Sequence, residues 1–233
     1  MLQAPKHGSP EVNFIVTYFT GENNTKTQPS GKSCHRSRIM VQSRCHKVPQ
    51  RQTVDKGENK MRLFIAISLS SEIRDALRKV QDEMFDRGVR GNFTPEANMH
   101  LTLAFIGDYP DPEPVLDALA EVEFTPFEIS LDGIGSFGDL WWAGVKDSAP
   151  LEAVVRRVRR ALAAHGIPFD KKRFSPHITL IRKAKNRMPG VLLRSAGMTV
   201  DTVSLMRSDR GRNGMIYTEL GTREAADSNP IIL

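Results

Sequence analysis

From Arg62 onward the apolar positions fall into short periodic blocks. "RLFIAISL" is a compact apolar run with strand character, and "SSEIRDALRKVQDEMF" follows with Ser70 as a cap and Ile73, Ala76, Leu77, Val80 and Met84 on one helical face. The turn-rich "DRGVRGNFTPEAN" separates these from a second apolar strand, "HLTLAFIG", and from a helix around "PVLDALAEV". "FEISLDGIGSF" and "LWWAGVK" predict two more strands, "APLEAVVRRVRRALAAHG" a helix ending at Gly166, and "HITLIRK" another strand. The pattern closes on a predicted β-hairpin, "MTVDTVSLMRS" and "GMIYTELGT", joined by "DRGRNG". Strands follow one another directly as well as alternating with helices, which predicts an α+β fold and not a doubly wound parallel sheet.

The blocks repeat. A shift of 77 residues lays Leu63 on Leu140, Ala66 on Ala143, His100 on His177, Thr102 on Thr179 and Leu103 on Leu180. Each half reads strand, helix, loop, then a strand opening with His-x-Thr, which predicts a duplicated lobe whose two copies a pseudo-twofold axis would relate. Six histidines and thirteen threonines in 233 residues give about 0.3 chance His-x-Thr pairs; two occur, in register.

Residues 1–60 do not share this grammar. They are rich in Ser, Asn, Gln, Thr, Lys and Arg without a sustained period, and such a segment buries too little apolar surface to offset its ordering entropy, so disorder is expected there. They also hold ten Lys or Arg against four Asp or Glu, leaving 23 of each from Met61 on. The basic charge belongs to this extension, and the domain expected over 61–233 has no bulk attraction for polyanions. Met61 reads as the functional start; targeting to an organelle and a tail that helps hold RNA are the other readings of the extension. Cys34 and Cys45 both lie in it, next to His35 and His46 but without zinc-finger spacing, so the domain has neither a disulfide nor a cysteine nucleophile. No apolar window is long enough to span a bilayer and no secretory signal opens the chain, so a cytoplasmic protein is expected.

Alternation along a strand turns His100 and Thr102 to one side and Leu101 and Leu103 to the core; His177 and Thr179 stand likewise against Ile178 and Leu180. Two such lobes bring two imidazoles and two hydroxyls to one cleft. Each threonine can donate to a non-bridging phosphate oxygen, while one imidazole takes a proton from the attacking group and the other gives one to the leaving oxygen. A metal site would need a third ligand, and no carboxylate accompanies both motifs; no metal and no cofactor are expected. His165, just before Gly166 at a helix end, reads as structural.

These paired motifs, "HLTL" and "HITL", with "MRLFIAI" opening the domain and "SPHITLIR" carrying the second histidine, resemble the 2H phosphoesterase superfamily, and within it the RNA 2′,3′-cyclic phosphodiesterases first described as 2′-5′ RNA ligases. The resemblance covers Met61 to about Thr222. It implies a bilobal, pseudo-twofold duplicated α+β fold with a central cleft, each lobe an antiparallel sheet with helices, and hydrolysis of a terminal 2′,3′-cyclic phosphate to a 2′-phosphate, with joining to a 5′-hydroxyl as the same chemistry on another nucleophile. RNA bearing such ends, tRNA fragments included, is the implied partner of a monomer. By position, His100 is implied as proton donor to the 3′-oxygen, His177 as the acceptor that activates water, and Thr102 and Thr179 as phosphate holders. Two departures bear on substrate preference: Phe93 stands where many relatives have tryptophan, and Ala104 where lysine is common. Arg182 and Phe64 are further substrate-binding candidates, the first through a phosphate or base edge, the second by stacking a base. Arg156, Arg157, Arg159 and Arg160 form a basic stripe that reads as a solvated face or an RNA track. A 2H activity on a small cyclic nucleotide or ADP-ribose cyclic phosphate, and a non-catalytic RNA-end-binding protein, are the alternatives.

Overall fold

The computed structural model describes residues 60–226 except Asn186 and Asn213. The expectations for the extension, Cys34 and Cys45 included, lie outside the described residues.

Twelve elements follow one another: β1 Met61–Ser68, α1 Ser71–Asp86, β2 Asn92–Phe93, β3 His100–Tyr109, α2 Glu113–Ala120, β4 Phe127–Phe137, β5 Leu140–Val145, α3 Ala149–Ala164, β6 His177–Arg182, β7 Gly197–Val200, β8 Thr202–Gly211 and β9 Gly214–Glu224. Ser70 caps α1 by accepting from the Ile73 N–H, and Ser148 caps α3 from the Leu151 N–H, satisfying donors the first turn leaves open. Gly166, with φ of 67°, follows the α3 cap at His165 in the left-handed conformation that suits glycine.

The strands form two antiparallel sheets, β3-β1-β8-β9 and β2-β6-β5-β4-β7. The pseudo-twofold is visible in their order: β3 beside β1 answers to β6 beside β5, and β8 and β4 occupy matching places on the far side. Ser68 pairs with His100 and Ala66 with Thr102; in the other sheet Gly144 pairs with His177 and Trp142 with Thr179, so β5 follows β1 at an offset of 76 while the motif strands keep 77, and both pairings carry a matching irregularity, at Ile65/Ala66 and at Trp141/Trp142.

The lobes differ from two consecutive halves of chain. The C-terminal hairpin β8–β9 completes the first sheet, and the two-residue β2, read from sequence as turn, extends the second. The predicted strand "MTVDTVSLMRS" is two strands that part at Asp201, β7 joining β4 and β8 joining β1. The helices cross as well: α1 packs against β7 of the second sheet, while α3 packs against β3 of the first and beside α2. Leu63, Ile65, Ile67, Leu101 and Leu103 from one sheet and Ile178, Leu180 and Ala143 from the other face a common core with Ile73, Leu77, Leu151 and Leu162 of the helices. Ala104 is part of that core, so its place leaves no room for a solvated cation.

Candidate active site

The two motif strands pack against each other across the lobes, and both alternate as their sequence predicts. Leu101, Leu103, Ile178 and Leu180 are buried, whereas His100, Thr102, His177 and Thr179 are half-buried on the opposite faces.

Both histidines are held alike. Nδ1–H of His100 donates to the Asn98 carbonyl oxygen at 2.8 Å, and Nδ1–H of His177 donates to the Ser175 carbonyl oxygen, also at 2.8 Å. A carbonyl only accepts, so each bond places the Nδ1 proton and leaves Nε2 as the nitrogen free for chemistry. Aromatic rings then fix each imidazole. Phe64 lies against His100 with centroids 4.8 Å apart, and Tyr217 meets both at 5.2 Å edge-on. His177 has Phe137 edge-on at 5.3 Å and Trp142 at 6.2 Å, with Phe137 and Trp142 themselves 5.2 Å apart. The Trp142 indole crosses directly over Gly135, where any Cβ would fall 2.3 Å from its ring carbons, so glycine is required there.

Burial, above all, holds the His100 imidazole below its ordinary pKa. The charges of Arg182 and His177 push the same way, and the bond to Asn98 opposes them. That repulsion puts Arg182 and His177 in the electrostatic neighbourhood of His100. Strict alternation would turn Arg182 away, but Ile181 is buried beside Leu180 and opposite Phe93, and the exposed Arg182 ends the strand paired to Asn92. Phe64 is 4 % exposed, and His100 and Tyr217 occupy its ring surface; it supports the histidine and has no open face for a base. Phe93 is half-buried and meets Phe85 edge-on at 6.3 Å. The arginine stripe is partly spent within the chain, Arg156 on Glu152 and Arg159 on the Lys172 carbonyl oxygen, and His165 Nε2 lies 2.9 Å from Glu121 Oε1 at the end of α3.

A pair of cross-lobe ties escaped the sequence reading. Gln81, buried on α1, donates from Nε2 to the carbonyl oxygens of Thr94 at 3.0 Å and of Leu180, inside the second motif, at 2.7 Å. Arg159 on α3 donates to the Lys172 carbonyl oxygen at 2.9 Å. Both the helical residues and their acceptor loops are 78 residues apart, so the ties are equivalent under the pseudo-twofold. An amide on the apolar face of α1, four residues after Leu77, was the sequence signal for Gln81.

The profile of the 2′-5′ RNA ligase superfamily matches residues 68–212. The chain belongs to that superfamily. It is 31% identical over 172 residues to the RNA 2′,3′-cyclic phosphodiesterase of Aeropyrum pernix, a match covering 66% of this chain and 98% of that protein. It is 34% identical over 135 residues to the RNA 2′,3′-cyclic phosphodiesterase of Geobacillus stearothermophilus, and here the match takes in 54% of this chain but only 43% of its relative. Among solved structures, E. coli LigT in apo form superposes with a TM-score of 0.62 at 26% identity, over 72% of this chain and 99% of LigT. The superfamily's two-lobed α+β architecture is therefore that of this chain. Among the described residues no helix is long and apolar enough to cross a membrane.

Proposed function

We propose that the protein hydrolyses the terminal 2′,3′-cyclic phosphate of RNA to a 2′-phosphate by proton transfer between His100 and His177, without a metal ion. The observation that carries this is the twin arrangement of the histidines: each has Nδ1 tied to the carbonyl two residues before it, Nε2 free, and a threonine two residues on. The names of the relatives supply the substrate class.

In this reading the hydroxyls of Thr102 and Thr179 donate to the non-bridging phosphate oxygens. Neutral His177 takes a proton from water at Nε2, and protonated His100 gives one from Nε2 to the departing 3′-oxygen. Burial and the Arg182 guanidinium disfavour the protonated form of His100, and a phosphodiester anion between the two rings opposes that repulsion. Substrate binding thus favours the acid form where it is needed. A 5′-hydroxyl in place of water would give a 2′-5′ linkage by the same transfers.

The test is product analysis of a 2′,3′-cyclic-phosphate oligonucleotide in excess EDTA. A 2′-phosphate product is expected at an undiminished rate; activity that vanishes and returns with zinc or magnesium overturns the proton-transfer mechanism. Within the same assay, a substrate with sulfur at the bridging 3′ position needs little help from an acid. His100→Ala, expected to lose about 10²- to 10⁴-fold on the oxygen substrate, should recover on the sulfur one, while His177→Ala should stay impaired. Recovery of His177→Ala alone would exchange the two roles.

A further inference from the structure

Five large apolar side chains stand exposed among the described residues, and one of them touches a motif histidine. Phe137 is 50 % exposed at the end of β4, yet it lies edge-on to His177 at 5.3 Å and against Trp142 at 5.2 Å. A tight turn holds its backbone. Phe137 pairs with Leu140 across the two-residue loop Gly138-Asp139, Gly138 has the positive φ (63°) of a type II′ turn, and the Asp139 carbonyl oxygen accepts from the Ala184 N–H at 2.9 Å.

The two sides of the cleft differ in this respect. Beside His100 the close ring, Phe64, is buried; beside His177 the ring has an open face. In an in-line displacement the attacking oxygen enters opposite the leaving one. Given the proposed reading, in which His100 serves the leaving 3′-oxygen, the attacking group enters on the side of His177. Water gains nothing from an exposed phenyl ring there, whereas a nucleobase gains a stacking platform, worth about 1–3 kcal/mol per base by alanine substitution.

We propose that Phe137, backed by Trp142, is the acceptor subsite: it stacks the base of a nucleoside whose free 5′-hydroxyl takes the place of water. The 5′-hydroxyl gives its proton to Nε2 of His177 and its oxygen bonds to phosphorus; the bond from phosphorus to the 3′-oxygen breaks, and that oxygen takes the proton from Nε2 of His100. The 2′-oxygen stays on phosphorus, so the product is a 2′-5′ diester. This rests on the proposed cyclic-phosphate reaction and adds the second substrate.

The experiment incubates the full chain with a 2′,3′-cyclic-phosphate oligonucleotide and increasing amounts of a 5′-hydroxyl oligonucleotide, and reads the ratio of 2′-5′ joined product to 2′-phosphate. Any loss common to both reactions, including a disturbed His177, cancels in this ratio. Phe137→Ala should lower the ratio about tenfold, the equivalent of about 1.4 kcal/mol of lost stacking, and Phe137→Trp should hold or raise it. An unchanged ratio in Phe137→Ala overturns the subsite, as does a wild type that hydrolyses but joins nothing at any acceptor concentration. A wild type that neither hydrolyses nor joins overturns the underlying reaction itself.

Discussion

Replacing Arg182 by glutamine should raise the pKa of His100. The guanidinium repels the protonated imidazole, and removing it stabilises the charged form. Burial is the larger influence and remains, so His100 in Arg182→Gln should still titrate below the ordinary imidazole value near 6.5. NMR titration of the imidazole carbon protons reads both results directly. The same sign applies to a bound 2′-phosphomononucleotide. An anion that raises the His100 pKa binds with full affinity below the free value and loses affinity as pH rises through the bound one. A His100 signal that does not move on removing Arg182 would show that the guanidinium does not face it. At this scale the sequence was informative about His100, Thr102, His177 and Thr179, because strand alternation alone orients them. Their neighbours were not legible. Tyr217 reaches His100 from β9, and Trp142 reaches His177 from β5, where its neighbour Trp141 turns into the core; only the pairing of distant strands says which of the two adjacent tryptophans faces the histidine.

Among the elements, α1 and α3 carry their own instructions: a serine cap, an apolar stripe and, for α3, a glycine after the last turn. Periodicity sufficed for them. It could not separate β7 from β8, since the apolar pattern runs on through Asp201 and only the pairing partners, far away in sequence, assign the two pieces to different sheets. Nor could it find β2, two residues whose strand character comes from lying beside β6. Gln81 ties this region together, and Gln81→Met tests the tie while keeping the length of the side chain. The carbonyl of Leu180 would still accept from the Thr94 N–H at 2.9 Å, but the Thr94 carbonyl loses the Gln81 donor. The Thr94 carbonyl is part-buried, so its loss costs about 1 kcal/mol, the low end for an acceptor left without a partner. Urea denaturation should show that loss, and amide exchange at Thr94 should accelerate by more than global unfolding accounts for. Unchanged stability and unchanged exchange would mean that Gln81 is a passenger on the apolar face.

The whole molecule divides more cleanly by charge than by any single motif. Ten basic and four acidic residues precede Met61, and the rest of the chain balances at 23 of each. Every buried residue of the described core lies between Leu63 and Leu205, and about two thirds of this chain aligns with 98% of the Aeropyrum relative. A chain starting at Met61 therefore keeps the core, both sheets and both motifs. It should fold with a Tm within about 2–4 °C of the full chain, the equivalent of about 1 kcal/mol for a domain of this size. Turnover on a cyclic-phosphate dinucleotide, too short to reach beyond the cleft, should stay within about twofold. Long RNA should respond differently. Each phosphate neutralised contributes about 0.7 to the slope of log affinity against log salt for a single strand, so losing a net charge of +6 can flatten that slope by up to about 4. A flattened slope with intact dinucleotide turnover assigns the extension to holding RNA, and an unchanged slope with intact turnover removes it from RNA binding. Insolubility, or a loss of dinucleotide turnover in the shortened chain, would show that the domain begins before Met61 and that the charge divide is not its boundary.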